Sequence, residues 1–442
     1  MPLPRPPSRV DTLTFPSFGM SWFANPSNGF SVLALAGGGG SAKTGVTNKI
    51  CLRINGAADQ YIDTGDSVCV AVVVYEWNQR LWLIGALGDR IRRYAIDLSG
   101  QEDHSEQGEV QVEKVQVKDG EDHQPDLCNA VATHASGEVV AVGCESGLVH
   151  VYRMDYEKNT FALLHTCTGH TNAVCAVRFA IRSPLVVSSA KDGTAKVWNN
   201  GELLSSVLCD VVDPKDPPPK RKTKRKMQVM VRGCDFGDLE GKVFYTVASE
   251  RRGKTFLSRW VREENKYVCQ ERTVCHKVPV SSSCLAADGS FMALGGVDGS
   301  VLLWDVHQWK LQRQFPEIHD LPVTCIGARP FSLPLREDET YDGVQMSAVS
   351  ASADSKLALL TLTRRVPRKQ RSNNGKSGSG GAVLISWTTL LFWFPLVGYA
   401  LYQLGQEAYD ICHKDWPDFV PCLVDQVLLA PPSRPGIMIP PH

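Results

Sequence analysis

The residues of this chain best suited to chemistry by type and spacing form a glycine-rich stretch near the N-terminus. The stretch reads Gly37, Gly38, Gly39, Gly40, Ser41, Ala42, Lys43, Thr44, Gly45, Val46, Thr47 and Asn48. Residues 37–44 nearly match the phosphate-binding pattern G-x-x-x-x-G-K-[ST], in which backbone N–H groups and a lysine hold phosphates. Ala42, however, stands where that pattern has its second glycine.

The residues that follow the glycine stretch argue against a phosphate loop. A phosphate loop must open a helix whose N-terminus faces the phosphates. Here Ile50, Leu52 and Ile54 alternate with polar or smaller residues, which is the period of a strand. We therefore predict no nucleotide-binding residues. Since consecutive glycines lose much conformational entropy on folding, the remaining alternatives are a hairpin loop without a role and a loop aimed at another protein.

Fourteen cysteines are scattered along the chain, and no two form a C-x-x-C pair. Most lie in apolar runs, as Cys69 and Cys175 do, where a cysteine behaves as a small buried hydrophobe. This usage predicts a reducing compartment for the residues before 380. Cys412 and Cys422 come later in the chain and could be oxidised.

His165, His170 and His319 lie near the starts of repeated units, and no paired ligand spacing accompanies them. Structural use is therefore favoured over metal binding. The sequence contains no pattern typical of a catalytic triad or of a metal site. We predict that the chain is not an enzyme and takes no small-molecule substrate.

A basic insert, residues 213–226, is rich in Pro, Lys and Arg. Such a run can serve nuclear import or nucleic-acid binding. The favoured alternative is a solvated loop, or one attracted to an anionic membrane face. The whole chain has 47 basic and 47 acidic residues, so its net charge indicates no nucleic-acid partner.

The elements around these residues form a repeat. Between residues 14 and 363, short apolar runs alternate with turns, and a unit recurs that has small residues, a turn containing glycine and a strand carrying an aromatic residue. Trp198 lies 46 positions after Tyr152, and Trp304 lies 44 after Trp260. That spacing fits the WD-repeat period of roughly 40–45 residues, one four-stranded blade each.

Counting the copies predicts a seven-bladed propeller whose first and fifth units are degenerate, with six or eight blades as alternatives. Polar inserts at 99–124, 210–226 and 332–343 account for the longer gaps. The predicted units are 14–56, 57–98, 125–155, 166–200, 227–264, 277–309 and 320–363.

Residues 382–404 carry no charged side chain. As a helix rising ~1.5 Å per residue, this segment would be about 34 Å long, enough for the roughly 30 Å hydrocarbon core. Trp387, Tyr399 and Tyr402 lie toward its ends, where aromatic rings favour the interface. We predict a transmembrane helix here; the alternative is a buried core helix.

Charge on either side of residues 382–404 predicts the orientation. Arginines and lysines dominate before the segment and acidic residues after it. The positive-inside rule then places the propeller in the cytosol. The predicted organisation is an N-terminal segment (1–13), an all-β seven-bladed WD-repeat β-propeller (14–363), a basic Gly/Ser-rich linker (364–381), a single C-terminal transmembrane helix (382–404) and a lumenal tail (405–442).

The run from Ala36 to Gly45, with Asn48 just before the next strand, resembles the loop of the prolactin regulatory element-binding protein family. Members of that family are membrane-bound guanine-nucleotide exchange factors of the endoplasmic reticulum. They act on the Sar-type small GTPase and so start vesicle coat assembly for ER-to-Golgi export. The resemblance extends to the architecture of residues 14–404.

The resemblance implies roles for particular residues. The loop, residues 37–47, would protrude, bind a potassium ion that orders it, and insert into the GTPase. Asn48 matches the residue most directly tied to exchange. The expected function is GDP release at the endoplasmic-reticulum membrane; the alternatives are a membrane-anchored WD-repeat scaffold without exchange activity and a nuclear transcriptional regulator.

Overall fold

The structure of the protein is a computed structural model. The structure describes residues 9–25, 30–40, 45–55, 59–96, 106–112, 124–209, 229–328 and 344–363. Within these ranges no helix is both long and apolar enough to cross a membrane. The predicted transmembrane helix at 382–404, its linker and its tail lie outside the described residues.

In the described part of the chain, twenty-eight strands form seven four-stranded antiparallel sheets, which we number as blades in chain order. Blade 1 contains β2 (Ser17–Asn25), β3 (Phe30–Gly37), β4 (Asn48–Ile54) and β5 (Gln60–Gly65). Blade 2 contains β6 (Cys69–Trp77), β7 (Arg80–Leu87), β8 (Arg90–Ala95) and β9 (Glu106–Gln111). Blade 3 contains β10 (Cys128–Thr133), β11 (Val139–Cys144), β12 (Val149–Asp155) and β13 (Thr160–Cys167).

The remaining blades repeat this order. Blade 4 contains β14 (Val174–Phe179), β15 (Leu185–Ala190), β16 (Thr194–Asn199) and β17 (Glu202–Leu208). Blade 5 contains β18 (Val229–Phe236), β19 (Val243–Glu250), β20 (Thr255–Glu263) and β21 (Lys266–His276). Blade 6 contains β22 (Val280–Leu285), β23 (Phe291–Gly296), β24 (Val301–Asp305) and β25 (Lys310–Phe315). Blade 7 combines β26 (Val323–Ala328), β27 (Val344–Ser352), β28 (Lys356–Thr363) and β1 (Arg9–Thr12).

The first strands of successive blades contact one another around a ring and line a central channel. The second strands are the most buried because both of their faces pack against neighbouring sheets; every residue of β15 and β23 is buried. The apolar core therefore consists of clusters between blades, such as the one that blade 4 and blade 5 share around Phe244. This arrangement confirms the predicted all-β, seven-bladed WD-repeat propeller.

The ring is closed by the N-terminal strand, which the predicted boundary at residue 14 left outside the propeller. β1 pairs antiparallel with β28, with Val10 opposite Ala358. Asp11 on β1 also pairs with Arg53 of blade 1 at 2.7 Å. The correction has a physical reason: a short strand without apolar alternation forms only because the edge of β28 offers it backbone partners.

Blade 2 needs a similar correction. The acidic insert predicted at 99–124 contains β9, which completes that blade by pairing with β8. Arg90 and Arg92 of β8 both pair with Glu109 of β9. Cross-strand pairs of opposite charge support this edge strand, which lacks the apolar pattern of the inner strands.

Two of the predicted structural histidines, His170 and His319, hold blade turns. His170 contacts Ser188 Oγ at 2.8 Å and Asp192 at 3.1 Å, and the indole of Trp198 donates to the same serine. His319 contacts Ser350 and Asp354 at 2.9 and 3.3 Å.

His165 differs from these two. It lies on β13 beside Gly201 and lines a cavity of about 460 Å³ between blades 3 and 4. The twelve cysteines among the described residues are all free thiols; Cys412 and Cys422 lie outside those ranges.

Candidate functional site: the glycine hairpin of blade 1

The glycine stretch connects β3 to β4 in blade 1. The two strands pair up to Gly37 opposite Lys49, so the described residues 38–40 and 45–47 lie beyond a regular pair of strands. A strand, not a helix, follows at Asn48. The strand predicted from the alternation of Ile50, Leu52 and Ile54 is therefore present.

Two neighbouring glycines begin the hairpin loop, and each meets backbone of the chain. A Cβ on Gly37 would lie 2.0 Å from the carbonyl oxygen of Pro16. Gly38 has φ +141°, and a Cβ there would lie 2.4 Å from Asn48 Oδ1. The Gly38 N–H donates to Pro16 O at 3.1 Å. Glycine is required here because the backbone approaches other atoms too closely for any side chain.

Asn48 ties the loop to the end of the blade. Its Oδ1 accepts the Gly40 N–H at 2.9 Å, and its Nδ2 donates to Gly40 O at 3.3 Å and to Gly65 O at 2.9 Å. The residue is only 4% exposed. Both hydrogens and the oxygen of the amide thus form hydrogen bonds within the chain. Asn48 therefore fixes the conformation of the loop at its base.

The outer part of the loop is more open. Gly45 and Thr47 are exposed and Val46 is half-buried, whereas Gly37 and Gly38 are buried and Gly39 and Gly40 half-buried. Val46 packs against the cluster that contains Phe15 and Cys51. The predicted site residues Ser41, Ala42, Lys43 and Thr44 lie outside the described residues. The described part is therefore a loop anchored at both ends.

The surroundings of the loop are built from linkers that the sequence analysis did not single out. Pro16 precedes blade 1, Gly65 ends β5, and Val68 belongs to the linker into blade 2, where it lies 3.8 Å from the Cβ position of Gly40. No local sequence pattern identifies these contacts, because Pro16 and Gly65 act through their backbone carbonyls.

A lysine beside the base of the loop lies against two aromatic rings. Lys49 Nζ lies 4.4 Å from the centre of the Tyr61 ring and 5.3 Å from that of Phe15. Burial raises the pKa of the nearby Cys51 thiol to about 12, so that cysteine stays protonated at neutral pH. Lys49 is thus a cation packed on two rings next to Asn48, at the base of the loop.

Comparison with known families identifies the repeat. The family model described as "WD domain, G-beta repeat" matches residues 161–199 and 268–305. Each match begins in the outer strand of one blade and runs through the first three strands of the next, as 161–199 does from β13 to β16. The matched repeats thus overlap neighbouring blades.

Curated relatives are distant and share only parts of their length. Autophagy-related protein 16 of Arabidopsis thaliana is 25% identical over 243 residues, 47% of this chain and 45% of that protein. The Target of rapamycin complex subunit wat1 of Schizosaccharomyces pombe is 25% identical over 190 residues, 40% and 52% respectively. NACHT domain- and WD repeat-containing protein 1 of Mus musculus is 26% identical over 199 residues, 44% of this chain and 11% of that protein. This chain spans about half the length of these relatives or less.

Solved structures show the same fold. Chaetomium thermophilum Sqt1, bound to the N-terminus of ribosomal protein L10, has TM-score 0.52 and 14% identity, covering 79% of this chain and 98% of that one. Saccharomyces cerevisiae Sqt1 has TM-score 0.53 and 12% identity, covering 82% and 100%. At this identity the likeness concerns the fold alone.

Proposed function

We propose that this WD-repeat propeller is a guanine-nucleotide exchange factor for a Sar-type small GTPase. The observation that carries the proposal is the glycine hairpin of blade 1, held at its base by Asn48. Its sequence resembles the exchange loop of the prolactin regulatory element-binding protein family, and its base is fixed by one amide that accepts one hydrogen bond and donates two.

Fixing the base of the loop favours its use as a binding element. A flexible loop loses conformational entropy when a partner orders it, and that loss weakens binding. Asn48 and Pro16 order both ends of the loop before any partner arrives. The loop therefore needs less ordering than a free glycine chain.

The proposed mechanism requires no covalent step. A small GTPase holds its nucleotide through Mg²⁺ and its switch segments. A partner that binds the open, nucleotide-poor form better than the closed form shifts the population toward release. Each increment of about 1.4 kcal/mol in that preference raises the ratio of open to closed form tenfold.

Asn48 is proposed to act as a positioning residue. Because its amide is buried and occupied by Gly40 and Gly65, its influence on exchange would pass through the shape of the loop. The residues proposed to touch the GTPase are those farther out, including Gly45 and Thr47.

The loop composition suits the potassium ion that the resemblance implies. Residues 37–48 contain no carboxylate, so their oxygen donors are backbone carbonyls, the hydroxyls of Ser41, Thr44 and Thr47, and Asn48 Oδ1. Neutral oxygens of this kind can replace the hydration shell of potassium. We propose that a potassium ion held by these residues would neutralise crowded carbonyl dipoles and stiffen the loop.

The proposed setting is the endoplasmic-reticulum membrane. The uncharged segment 382–404 would anchor the chain, and the arginines and lysines before it would keep the propeller in the cytosol. If instead the chain is recovered in the soluble nuclear fraction of cells, the alternative function as a nuclear regulator is favoured.

The test is release of a fluorescent GDP analogue from purified Sar-type GTPase in excess GTP. We expect the full chain in detergent to accelerate release. A variant in which residues 38–48 are replaced by Asn-Gly, a two-residue hairpin turn between Gly37 and Lys49, should lose the acceleration. A matched control variant lacking residues 213–226 should keep it.

A second outcome is informative. A scaffold without exchange activity would bind the GTPase and leave the release rate unchanged in the wild-type chain. Equal release rates for the wild type and the shortened-loop variant would contradict the proposal, even if both bound the GTPase.

A further inference from the structure

Blade 3 gathers three buried side chains that carry metal-ligating atoms. Asp126, Cys144 and His150 each place one such atom within 4.8 Å of the other two. Asp126 and Cys144 are 0% exposed, and His150 is 1% exposed. These three residues, which we call the blade-3 cluster, lie outside the glycine hairpin and have no part in the proposed exchange.

Three separate elements supply the blade-3 cluster. Asp126 lies in the linker from blade 2, where its N–H donates to Val112 O at 2.9 Å. Cys144 ends β11 and His150 lies near the start of β12. A fourth ligand is adjacent: Cys128 on β10 is the register partner of Cys144 and is 2% exposed.

Contacts around the cluster orient its members. The Ser146 N–H donates to one carboxylate oxygen of Asp126 at 3.2 Å, and the Ser146 hydroxyl donates to the other. His150 Nδ1 lies 3.2 Å from Thr166 Oγ1. At metal sites, partners of this kind fix the orientation of carboxylate and imidazole ligands.

Comparison of blade 3 with blade 4 shows that the cluster replaces a hydrogen-bond network. In blade 4, His170 of the linker bonds Ser188 and Asp192. In blade 3, Val142 occupies the position that Ser188 has in blade 4. Val142 is the register partner of His150, just as Ser188 is the register partner of Lys196. Cys144 likewise takes the position of Ala190. Blade 3 thus has a valine in place of the serine of that network, and it carries the metal-ligating atoms of Cys144 and His150 on the equivalent strands.

We propose that the blade-3 cluster, completed by Cys128, binds a structural Zn²⁺ ion. Thiolate, imidazole and carboxylate together are the ligands that zinc accepts in four-coordinate sites, whereas Mg²⁺ and Ca²⁺ prefer oxygen alone. Each coordinating thiol releases one proton to solvent when the metal binds. The ion ties the blade 2–3 linker to three strands of blade 3, β10, β11 and β12.

The first experiment measures metal in the natural protein. The full chain, purified without added metal or chelator, is analysed for zinc by elemental analysis and native mass spectrometry. We expect one zinc per chain. After removal of the metal, titration with Co²⁺ alone should produce thiolate-to-cobalt charge-transfer absorption and the visible bands of a tetrahedral site.

Variants locate the ion. Cys144→Ser and His150→Gln should each lose stoichiometric zinc and weaken the cobalt absorption. Cys167→Ser is the matched control. This cysteine is also buried in blade 3 but belongs to the apolar core on the opposite face of the blade from Cys144. The variant should keep the metal. Thermal unfolding of the wild type should shift upward with added Zn²⁺, and that shift should vanish in Cys144→Ser.

Several results would overturn the zinc proposal. They are wild-type protein without zinc and without cobalt absorption, a Cys128–Cys144 disulfide in protein purified under reducing conditions, or equal zinc content in the cluster variants and the wild type. Because wild-type metal content is measured directly, the test holds even if a variant fails to fold.

Discussion

At the scale of single residues, the Asn48 side chain makes a set of hydrogen bonds that an aspartate in its place could not make. It accepts one hydrogen bond from Gly40 N and donates to two carbonyls, Gly40 O and Gly65 O. A carboxylate has the same shape but only accepts. A carboxylate in place of the Asn48 amide would therefore face two carbonyl oxygens in a buried place.

The first prediction concerns Asn48→Asp. We expect it to lower the free energy of unfolding by about 1–3 kcal/mol, the cost of leaving buried groups unsatisfied, and to slow GDP release in the exchange assay. Asn55→Asp is the matched control at the other end of β4, because Asn55 Oδ1 accepts a bond from Ser31 N. Equal unfolding midpoints for the two variants in urea would contradict the role of Asn48.

The second prediction separates two glycines of the same loop. Gly38 and Gly45 both have positive φ, but Gly38 is crowded by Asn48, whereas none of the described residues lies within 4 Å of a Cβ on Gly45. Gly45→Ala should cost about 1–2 kcal/mol of backbone strain. Gly38→Ala should cost more, measured by thermal unfolding, because the added Cβ must displace the Asn48 amide. A Gly45→Ala variant as unstable as Gly38→Ala would rule this difference out.

At the scale of elements, the turns of blades 4 and 7 share one construction. A linker histidine reaches a serine on the second strand and an aspartate in the following turn. Such a network binds each blade to its own linker, which apolar packing between blades does not do. His276, which ends β21 of blade 5, makes a related contact with blade 6: its ring contacts Asp298 and Ser300 in the turn before β24, the latter at 3.2 Å, although the sequence analysis did not single it out.

The third prediction is the pH dependence of the blade-4 network. Burial by itself raises the pKa of Asp192, but hydrogen bonds from His170, Thr171 and Thr194 hold it well below its usual value. The ionised carboxylate therefore stabilises the folded state above the unfolded pKa of about 3.9. That contribution is lost as pH falls below this value toward the lower folded pKa.

Asp192→Asn tests this pH dependence. At pH 7 the variant should unfold with a free energy about 1–3 kcal/mol smaller than the wild type, and the difference should shrink as pH falls below about 4. Asp288→Asn, in an exposed turn of blade 6, should change little at any pH. A pH-independent difference between Asp192→Asn and wild type in denaturant titrations would refute the assignment.

At the scale of the whole molecule, closure of the ring depends on the first described residues. β1 gives blade 7 its fourth strand. Asp11 then connects that strand to Arg53 of blade 1 at 2.7 Å, and Arg53 in turn pairs with Asp59 at 2.7 Å. Both ends of the chain's propeller segment thus meet in one sheet.

The fourth prediction is that removal of residues 1–13 opens the ring. The thermal midpoint should fall, since a loss of about 1 kcal/mol shifts the midpoint by roughly 2–4 °C in a domain of about 150–250 residues and by less in a larger one. Removal of residues 1–8, which precede β1, is the control and should leave the midpoint unchanged. The comparison is made by calorimetry; equal midpoints for the two truncations would show that β1 does not close the ring.

Some features of the candidate site can be predicted from the sequence, and others follow only from the tertiary structure. The hairpin, the strand after Asn48 and the seven repeats follow from local signals, because apolar alternation, aromatic spacing and glycine turns each act over a few residues. The partners of Asn48 do not follow from such signals. Gly40 is close in sequence, but Gly65 lies across another strand, and Pro16 comes from the linker into the blade.

The amino-acid sequence by itself determined the class of fold and the presence of an unusual loop, since strand period and glycine content are properties of short segments. Only the tertiary structure decided that β1 completes blade 7, that β9 lies within an acidic insert, and that Asp126, Cys144 and His150 meet. Each of these depends on backbone edges or side chains brought together from different strands. Ring closure sets those distances, and no local pattern encodes them.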